Sequence, residues 1–325
     1  MKKIISLILC VIFVCAAVAG CTGVKVDNGE KISVVVTIFP QYDWVRRIIG
    51  EKTDKFELTL LLDNGVDLHS YRATADDIIK ITSCDILIYV GGESDKWLED
   101  LLSKNENKSI NAINLLEALG DKAVEEELKE GMQGEEEEEG EDEEEEAEYD
   151  EHIWLSLKNA AYLCPVICDA LCKADADNKE VYKQNTDKYV KELNALDEKY
   201  KEAVDNASVK TLLFGDRFPF RYMTSDYGLD YYAAFIGCSA ESEASFETIA
   251  FLSNKADELS LKSICKIESS DGKIAETIKS TAKSTDLSVI TFDSMQSTTA
   301  NDVKNGVTYL SVMEKNLQAL KSALK

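Results

Sequence analysis

The chain has 325 residues, of which 45% are hydrophobic, so it is long enough to bury the cores of one or two domains. Its formal net charge is -25, and residues 135–151 alone contain fourteen acids and no base, which leaves about -11 for the rest. This balance argues against a nucleic-acid partner, because phosphate binding needs clustered Lys and Arg, and it favours cations as partners.

The first twenty residues have the three parts of a secretory signal. Lys2 and Lys3 precede the apolar residues 4–18, and small residues then lead to Cys21. The pattern resembles a bacterial lipobox, which implies a signal peptide over 1–20, lipidation of Cys21 and a linker over 21–30. The protein is then expected outside the cytoplasm, anchored to the cell membrane by lipid. An ordinary signal with a chance cysteine is the alternative.

Strand and helix patterns alternate along the first half of the chain. The segments "KISVVVTIFP", "KFELTLLL" and "DILIYV" predict strands, and "QYDWVRRII", "TADDIIKIT" and "SDKWLEDLLS" predict helices. Thr74 is the predicted N-cap of the second helix, with Asp77 three residues later. The acidic residues of about 121–150 have little to bury and repel one another, so they predict a disordered loop.

After this loop the alternation resumes. "SLKNAAYLCPVICDALCKA" predicts a helix, and residues 179–207 predict one long amphipathic helix. Predicted strands are "KTLLF", "LDYYAAFIG", "KSICKIES" and "LSVITF"; predicted helices are "SFETIAFLSNKADELS", "KIAETIKSTAKST" and "NDVKNGVTYLSVMEKNLQALKSAL". The chain is therefore predicted to be α/β, with two lobes that each hold a mostly parallel sheet flanked by helices. They are residues 31–178 and 208–325, joined by the long helix with a cleft between the lobes.

Six cysteines remain in the predicted mature chain after Cys21: Cys84, Cys164, Cys168, Cys172, Cys238 and Cys265. Three of them, from 164 to 172, recur every four residues and so line one helix face. Their thiolates offer a metal site, but small apolar core residues are the favoured interpretation. The sequence leaves the redox state of all six open.

The chain has two histidines, and each lies in a loop that leads into a helix. His69 stands in "DNGVDLHSYRATADD" and His152 in "YDEHIWLSLKNA". In parallel α/β sheets such loops open onto the ligand crevice, so both histidines are candidate ligand-binding residues.

The same two segments carry a resemblance to a known family. "GVDLHSYRATADD" and "DEHIWLSLKNA" resemble the histidine motifs of the metal-binding lipoproteins that supply zinc or manganese ABC importers, the cluster A-I family. "VVVTIFPQYDWVRRIIG", "ESEASFETI", "IESS" and "VITFDSM" extend the likeness over nearly all of the mature chain. The resemblance implies a transported Zn²⁺ or Mn²⁺ ion bound in the cleft by four ligands, two from each lobe.

The resemblance also implies which residues bind the metal. His69 and His152 match the ligands of the first lobe, and Asp293 matches the fourth ligand. The third position falls on Gly215, which has no side chain, so the adjacent Asp216 is expected to supply the missing oxygen.

Two alternatives remain at these positions. Asp216 has a structural alternative in an ion pair with Arg217 or Arg221, and Glu268 is a possible ligand or a support for the ligands. Imidazole suits zinc, and carboxylate oxygen suits manganese as well, so the ligand set is ambiguous. The acidic loop lies where zinc members often carry a His- and acid-rich loop, which favours zinc slightly.

The implied function is capture of a divalent transition metal and its delivery to an importer permease driven by an ATPase. The protein is expected to be a monomer and not an enzyme. A receptor for a metal chelate, such as a siderophore or corrinoid, and a zinc-dependent hydrolase are the alternatives. The sequence has no HExxH motif, no Gly-rich phosphate loop and no nucleophile elbow. The acidic loop is expected to raise the local cation concentration, or only to aid solubility.

Overall fold

The computed structural model describes residues 31–105, 107, 109–134, 148–239 and 243–325. The predicted signal peptide, the lipidation of Cys21 and the linker over 21–30 lie outside these residues. Ile32–Lys325 forms one compact unit. Among the described residues, none of the helices has the length and apolar character needed to span a bilayer.

The first lobe is built on a four-stranded parallel sheet. Its strands are β1 (Ile32–Val36), β2 (Phe56–Leu60), β3 (Ile86–Tyr89) and β4 (Asn111–Asn114), in the order β2-β1-β3-β4. Its helices are α1 (Phe39–Ile49), α2 (Ala75–Ser83), α3 (Lys96–Lys104), α4 (Leu115–Leu119) and α5 (Leu157–Ala174). Val34 and Val36 of β1 are fully buried, as expected for a parallel strand with both faces covered.

Local chemistry explains where these helices begin and why the sequence pattern did not predict every element. The predicted capping box is present: Asp77 N donates to Thr74 Oγ1 at 3.2 Å, and Thr74 N donates to Asp77 Oδ2 at 3.0 Å. The sequence did not predict β4 or α4. Both residues at the start of β4, Asn111 and Ala112, are exposed, so the strand lacks the apolar alternation that marks a strand in a sequence.

The second lobe repeats the architecture of the first. Its strands are β5 (Thr211–Phe218), β6 (Asp230–Ile236), β7 (Ser263–Ile267) and β8 (Ser288–Phe292), parallel in the order β6-β5-β7-β8. The helices are α6 (Lys179–Asp205), which links the lobes, α7 (Arg221–Tyr227), α8 (Phe246–Glu258), α9 (Lys273–Thr281), α10 (Ala300–Lys304) and α11 (Tyr309–Ala323). The two sheets confirm the predicted α/β class.

The closing segment is two helices, where one was predicted. Gly306 has a φ of 90° between α10 and α11, a conformation that glycine adopts at little cost. Thr299 and Thr308 each cap the helix that follows. The prediction of a single helix was wrong because it followed the apolar spacing through these local stop and start signals.

Helix α6 joins the two lobes through one continuous core. It packs against α5 and α1 of the first lobe and against α11 of the second. Its buried stripe includes Tyr182, Tyr189, Leu193, Leu196 and Tyr200, the residues that the sequence placed on one face. A single apolar cluster runs from Val36 through Tyr200 to Phe292, so the lobes share buried surface.

The residues beside the acidic run are held by backbone hydrogen bonds. Glu126 N donates to Glu148 O at 2.8 Å, and Asp150 N donates to Val124 O at 2.9 Å. Gln133 N donates to a carbonyl of β6 at 2.9 Å. Both ends of the segment predicted as a disordered loop are thus tied to the fold, whereas residues 135–147 lie outside the described residues.

Candidate metal centre

The candidate site lies where the carboxyl ends of the strands in both lobes meet. His69 follows β2 in the turn Leu68–Ser70, and Cys238 follows β6 in the other lobe. His152 immediately precedes the turn Ile153–Leu155, which leads into α5. Ligand crevices of parallel α/β sheets form at this edge, because the loops there converge from several strands.

The two histidine rings face each other through their outer nitrogens. His69 Nε2 lies 3.2 Å from His152 Nε2. Each inner nitrogen has its own partner: His69 Nδ1 lies 2.7 Å from Ser94 Oγ, and His152 Nδ1 lies 3.1 Å from Asp150 Oδ1. With the Nδ1 atoms occupied, both Nε2 lone pairs are available to one cation between the rings.

Electrostatics keep the first of these rings neutral. Burial, together with the nearby His152, lowers the pKa of His69 to about 3. Burial also opposes charge on His152, but the carboxylates of Asp150 and Glu151 raise its pKa above the usual value. Neutral imidazole is the form that binds metal, so His69 is already in the ligand state at neutral pH.

Carboxylates surround the histidine pair. Glu151 Oε1 accepts from Ser94 N at 2.7 Å, and its buried Oε2 has no hydrogen-bond partner and lies 3.8 Å from His69 Nδ1. Asp67 Oδ1 lies 3.9 Å from His69 Nε2, while Asp67 Oδ2 accepts from Arg217 Nη2 at 2.9 Å. This excess of negative charge suits a dication.

A thiol from the second lobe completes a group of three donors. The ligand atoms of His69, His152 and Cys238 lie within 4.8 Å of one another, the one such group of three or more found in the part of the chain that the structure describes. A Cβ at Gly237 would stand 2.9 Å from His152 Cε1, so this glycine lets the loop approach the ring. Burial raises the pKa of the Cys238 thiol, and Glu126 and Asp150 raise it further.

The sequence reasoning did not select Cys238. Its position in "FIGCSA", directly after an apolar strand, satisfies the argument that selected both histidines, namely a loop at the carboxyl end of a parallel strand. The regular spacing of the cysteines from 164 to 172 is the stronger pattern in the sequence, and Cys238 lies outside it.

Comparison with known proteins identifies the family. The profile of the ZnuA family, described as zinc-uptake complex component A, periplasmic, matches residues 34–323. The chain belongs to this family. This confirms the resemblance to metal-binding lipoproteins that the histidine segments carried.

Individual relatives agree with the family assignment. The zinc-binding lipoprotein AdcA of Streptococcus pneumoniae is 32% identical over 323 residues, which cover 99% of this chain and 61% of AdcA. The high-affinity zinc uptake system protein ZnuA of Bacillus subtilis is 30% identical over 299 residues, which cover 92% of this chain and 89% of ZnuA. The Zn(II)-bound ZnuA-like domain of S. pneumoniae AdcA superposes with a TM-score of 0.71 at 28% identity, covering 91% of this chain and 99% of that domain.

In this member of the ZnuA family, the expected third-ligand position is closed to side chains. A Cβ on Gly215 would stand 2.6 Å from the Cα of Ala275 in α9, so the strand packs directly on that helix. The neighbouring Asp216 is buried: its Oδ1 accepts from Arg217 N at 2.9 Å, and its Oδ2 accepts from Ile267 N at 3.2 Å. Both oxygens of Asp216 therefore hold the backbone of β5 and β7.

The arginines named as alternative partners of Asp216 pair with other acids. Arg217 forms its ion pair with Asp67, and Arg221 lies 3.2 Å from Glu127. The Arg217 guanidinium also donates to Ser239 O at 3.4 Å, which connects the loop of His69 to the loop of Cys238. A fixed cation thus stands at the edge of the histidine pair.

Asp293 and Glu268 lie together at the ends of β8 and β7. Burial, together with the charge of Glu268, raises the pKa of Asp293 to about 6. Glu268 accepts from Ser294 N at 2.7 Å, Ser294 Oγ at 2.9 Å and Ser297 Oγ at 3.0 Å, so it shapes the loop that carries Asp293. Neither carboxylate belongs to the group formed by the histidines and Cys238.

The three cysteines of α5 pack as small core side chains. Cys164 and Cys168 are buried, and Cys168 Sγ lies 3.8 Å from Cys172 Sγ. Burial raises the pKa values of the Cys164 and Cys168 thiols, which opposes the thiolate form. All six cysteines after Cys21 are free.

Proposed function

We propose that this protein captures Zn²⁺ outside the cytoplasm and delivers it to the permease of an ABC importer, which an ATPase drives. The observation that carries the proposal is the pair of Nε2 atoms 3.2 Å apart, each on a ring whose Nδ1 has its own partner. Family membership supports the same role, as does similarity to the zinc-binding lipoprotein AdcA and the zinc uptake protein ZnuA.

His69 and His152 of the first lobe are proposed to bind the ion, with a carboxylate from the second lobe closing the site. Asp293 is the favoured carboxylate, because the loop that bears it is already fixed through Glu268. Asp216 stays a prediction from the sequence; as a ligand it would have to release the amides of Arg217 and Ile267. The shared core along α6 supports a small tilt of the lobes on loading.

The closeness of the two histidine nitrogens supports a bare ion as the cargo. Their Nε2 atoms lie 3.2 Å apart, a separation that suits two ligands of one ion, whereas a receptor for a siderophore or corrinoid needs a wide cleft. Zinc is proposed over manganese, because two imidazoles are ligands that suit zinc.

The remaining features fit a lipoprotein receptor. We propose that Cys21 carries the lipid anchor and that the monomeric receptor docks on its permease from the outer side. Asp150, the partner of His152, follows the acidic residues 135–147 by three positions in the sequence. Their charge is proposed to concentrate cations near the site.

Metal competition titration of the chain from Thr22 to Lys325 tests the function. This form contains the whole compact unit Ile32–Lys325. The expected result is one tightly bound zinc ion that His69→Ala and His152→Ala abolish and that Ser70→Ala, an exposed neighbour, leaves intact. Parallel titrations with Mn²⁺ and with a ferric siderophore are expected to show weaker binding or none.

The carboxylate variants identify the closing ligand. Asp293→Ala is expected to weaken zinc binding, and Asp216→Ala tests the expectation from the sequence. If zinc binds equally tightly to the wild type and to both histidine variants, the assigned site is wrong; if the wild type binds no zinc tightly, the proposed function is wrong. If the siderophore binds tightly and zinc does not, the chelate-receptor alternative replaces it.

A further inference from the structure

The position to which the family resemblance assigns the third ligand has no side-chain donor in this protein. The expected position, Gly215, is sealed against α9, and both oxygens of Asp216 hold backbone amides. The chain has no third histidine. A donor from the second lobe therefore has to come from another loop at the same edge of the sheet.

We propose that the Cys238 thiolate is the third ligand, so that the metal is bound by two histidine nitrogens and one sulfur. This inference rests on the proposed function and refines its ligand set. It assigns a specificity-determining role to a residue for which the family resemblance implied none.

The distances within the site fit this arrangement. A tetrahedral zinc ion with bonds of about 2.05 Å to nitrogen and about 2.3 Å to sulfur places neighbouring donors about 3.3 Å (N–N) and about 3.6 Å (N–S) apart. The two Nε2 atoms are already 3.2 Å apart. The sulfur lies within 4.8 Å of one ring nitrogen of each histidine, and a change of its χ1 angle moves it toward bonding distance.

The loop of Cys238 is held in place on both sides. Gly237 packs against the ring of His152, where a Cβ would come within 2.9 Å, and Ser239 O accepts a hydrogen bond from Arg217. The thiol itself contacts the Glu126 carboxylate. A ligand fixed in this way loses little conformational entropy when the metal binds, which favours tight binding.

A sulfur ligand has a defined chemical consequence. On binding, the sulfur–metal bond forms and the thiol proton passes to water through the carboxylate of Glu126. Thiolate is a soft ligand that suits zinc and other late first-row ions and does not suit manganese, which prefers oxygen. Cys238 would therefore make the site selective for zinc, even though the ligand expected beside the two histidines and the thiolate is a carboxylate.

Cobalt spectroscopy of the Thr22–Lys325 chain, kept reduced, tests the sulfur directly. Co²⁺ bound to the wild type is expected to give visible d–d bands and a near-ultraviolet thiolate-to-cobalt charge-transfer band. Cys238→Ser is expected to keep Co²⁺ binding but lose the charge-transfer band. Cys172→Ser, a half-buried thiol outside the group, is the matched control and is expected to keep both.

Zinc affinity and alkylation give independent readouts. Loss of a residue that supports a metal ligand lowers metal affinity by about 10- to 100-fold. Cys238→Ser removes a ligand itself, so it is expected to lower zinc affinity by more than this, while Mn²⁺ affinity hardly changes. Zinc is also expected to protect Cys238, but not Cys172, from iodoacetamide. Unchanged circular dichroism and Tm in both serine variants show that folding is intact.

The outcomes separate this inference from the proposed function. In one outcome, the wild type binds one ion of zinc or of cobalt, the cobalt form shows no charge-transfer band, and Cys238→Ser binds zinc as tightly as the wild type. The thiolate is then not a ligand, and the metal-receptor function stands. If the wild type binds neither ion more tightly than His152→Ala does, both proposals fail.

Discussion

Removal of the Asp150 carboxylate tests whether the orientation of His152 controls metal affinity. Asp150 Oδ1 accepts from His152 N at 2.8 Å and lies 3.1 Å from His152 Nδ1, so it holds both the backbone and the ring. The carboxylate favours the tautomer with the proton on Nδ1, which leaves the Nε2 lone pair for the metal. In Asp150→Ala the ring is free to take the other tautomer and to turn.

The size of the effect follows from this geometry. Loss of such an outer partner costs about 10- to 100-fold in metal affinity, or about 1.4–2.7 kcal/mol. We expect Asp150→Ala near the upper end, because the Asp150 side chain makes both contacts with His152. Asp150→Asn is expected near the lower end, since the amide oxygen still accepts both hydrogen bonds but the negative charge is lost.

Competition against a zinc-binding dye at fixed pH measures these affinities. Asp95→Asn serves as the control, because Asp95 is also a fully buried carboxylate of the first lobe and its Oδ2 accepts from Val90 N and Gly91 N. Its zinc affinity is expected to match the wild type. Equal affinities for Asp150→Ala and the wild type would refute the assignment of His152 Nε2 as a ligand atom.

Three further changes are expected to have measurable effects. Gly237→Ala places a Cβ 2.9 Å from the His152 ring and is expected to displace the ring. Zinc binding is then expected to weaken in the titration, and urea unfolding is expected to show about 1–3 kcal/mol of lost stability. Arg217→Gln removes the cation that pairs with Asp67, so zinc affinity is expected to rise by about 1 kcal/mol, or about fivefold, in the same titration. Burial raises the pKa of Asp95 from 3.8 to about 7. Between pH 3.8 and about pH 7 the folded protein holds this proton and the unfolded chain does not, so the free energy of unfolding falls by up to about 4 kcal/mol as pH rises. Asp95→Asn is expected to remove this loss, as measured by urea unfolding from about pH 4 to 8.

Each of these expectations has a contrary result. Normal zinc affinity in Gly237→Ala would show that the loop of Cys238 does not position His152. Weaker binding in Arg217→Gln would mean that its bridge between the lobes matters more than its charge. Parallel stability curves for Asp95→Asn and the wild type would place the Asp95 pKa at its ordinary value.

Local signals in the sequence were sufficient for most of the fold. The β-branched residues of β1, the capping box at Thr74 and the apolar stripe of α6 each encode their element within a few residues, because propensity, capping and periodicity act locally. Where the local signal was weak, the prediction failed: β4 starts with two exposed residues, and the break at Gly306 interrupts an otherwise continuous apolar spacing.

The sequence by itself determined the family, the two-lobe α/β architecture and the two histidines, because these reside in short motifs and periodic patterns. The tertiary structure alone decided how the site is assembled. It turned Gly215 into a helix contact, engaged both oxygens of Asp216 with backbone amides, and brought Cys238 to His69 and His152. Contacts between loops of different lobes depend on strand order, register and packing, and no short stretch of sequence contains them.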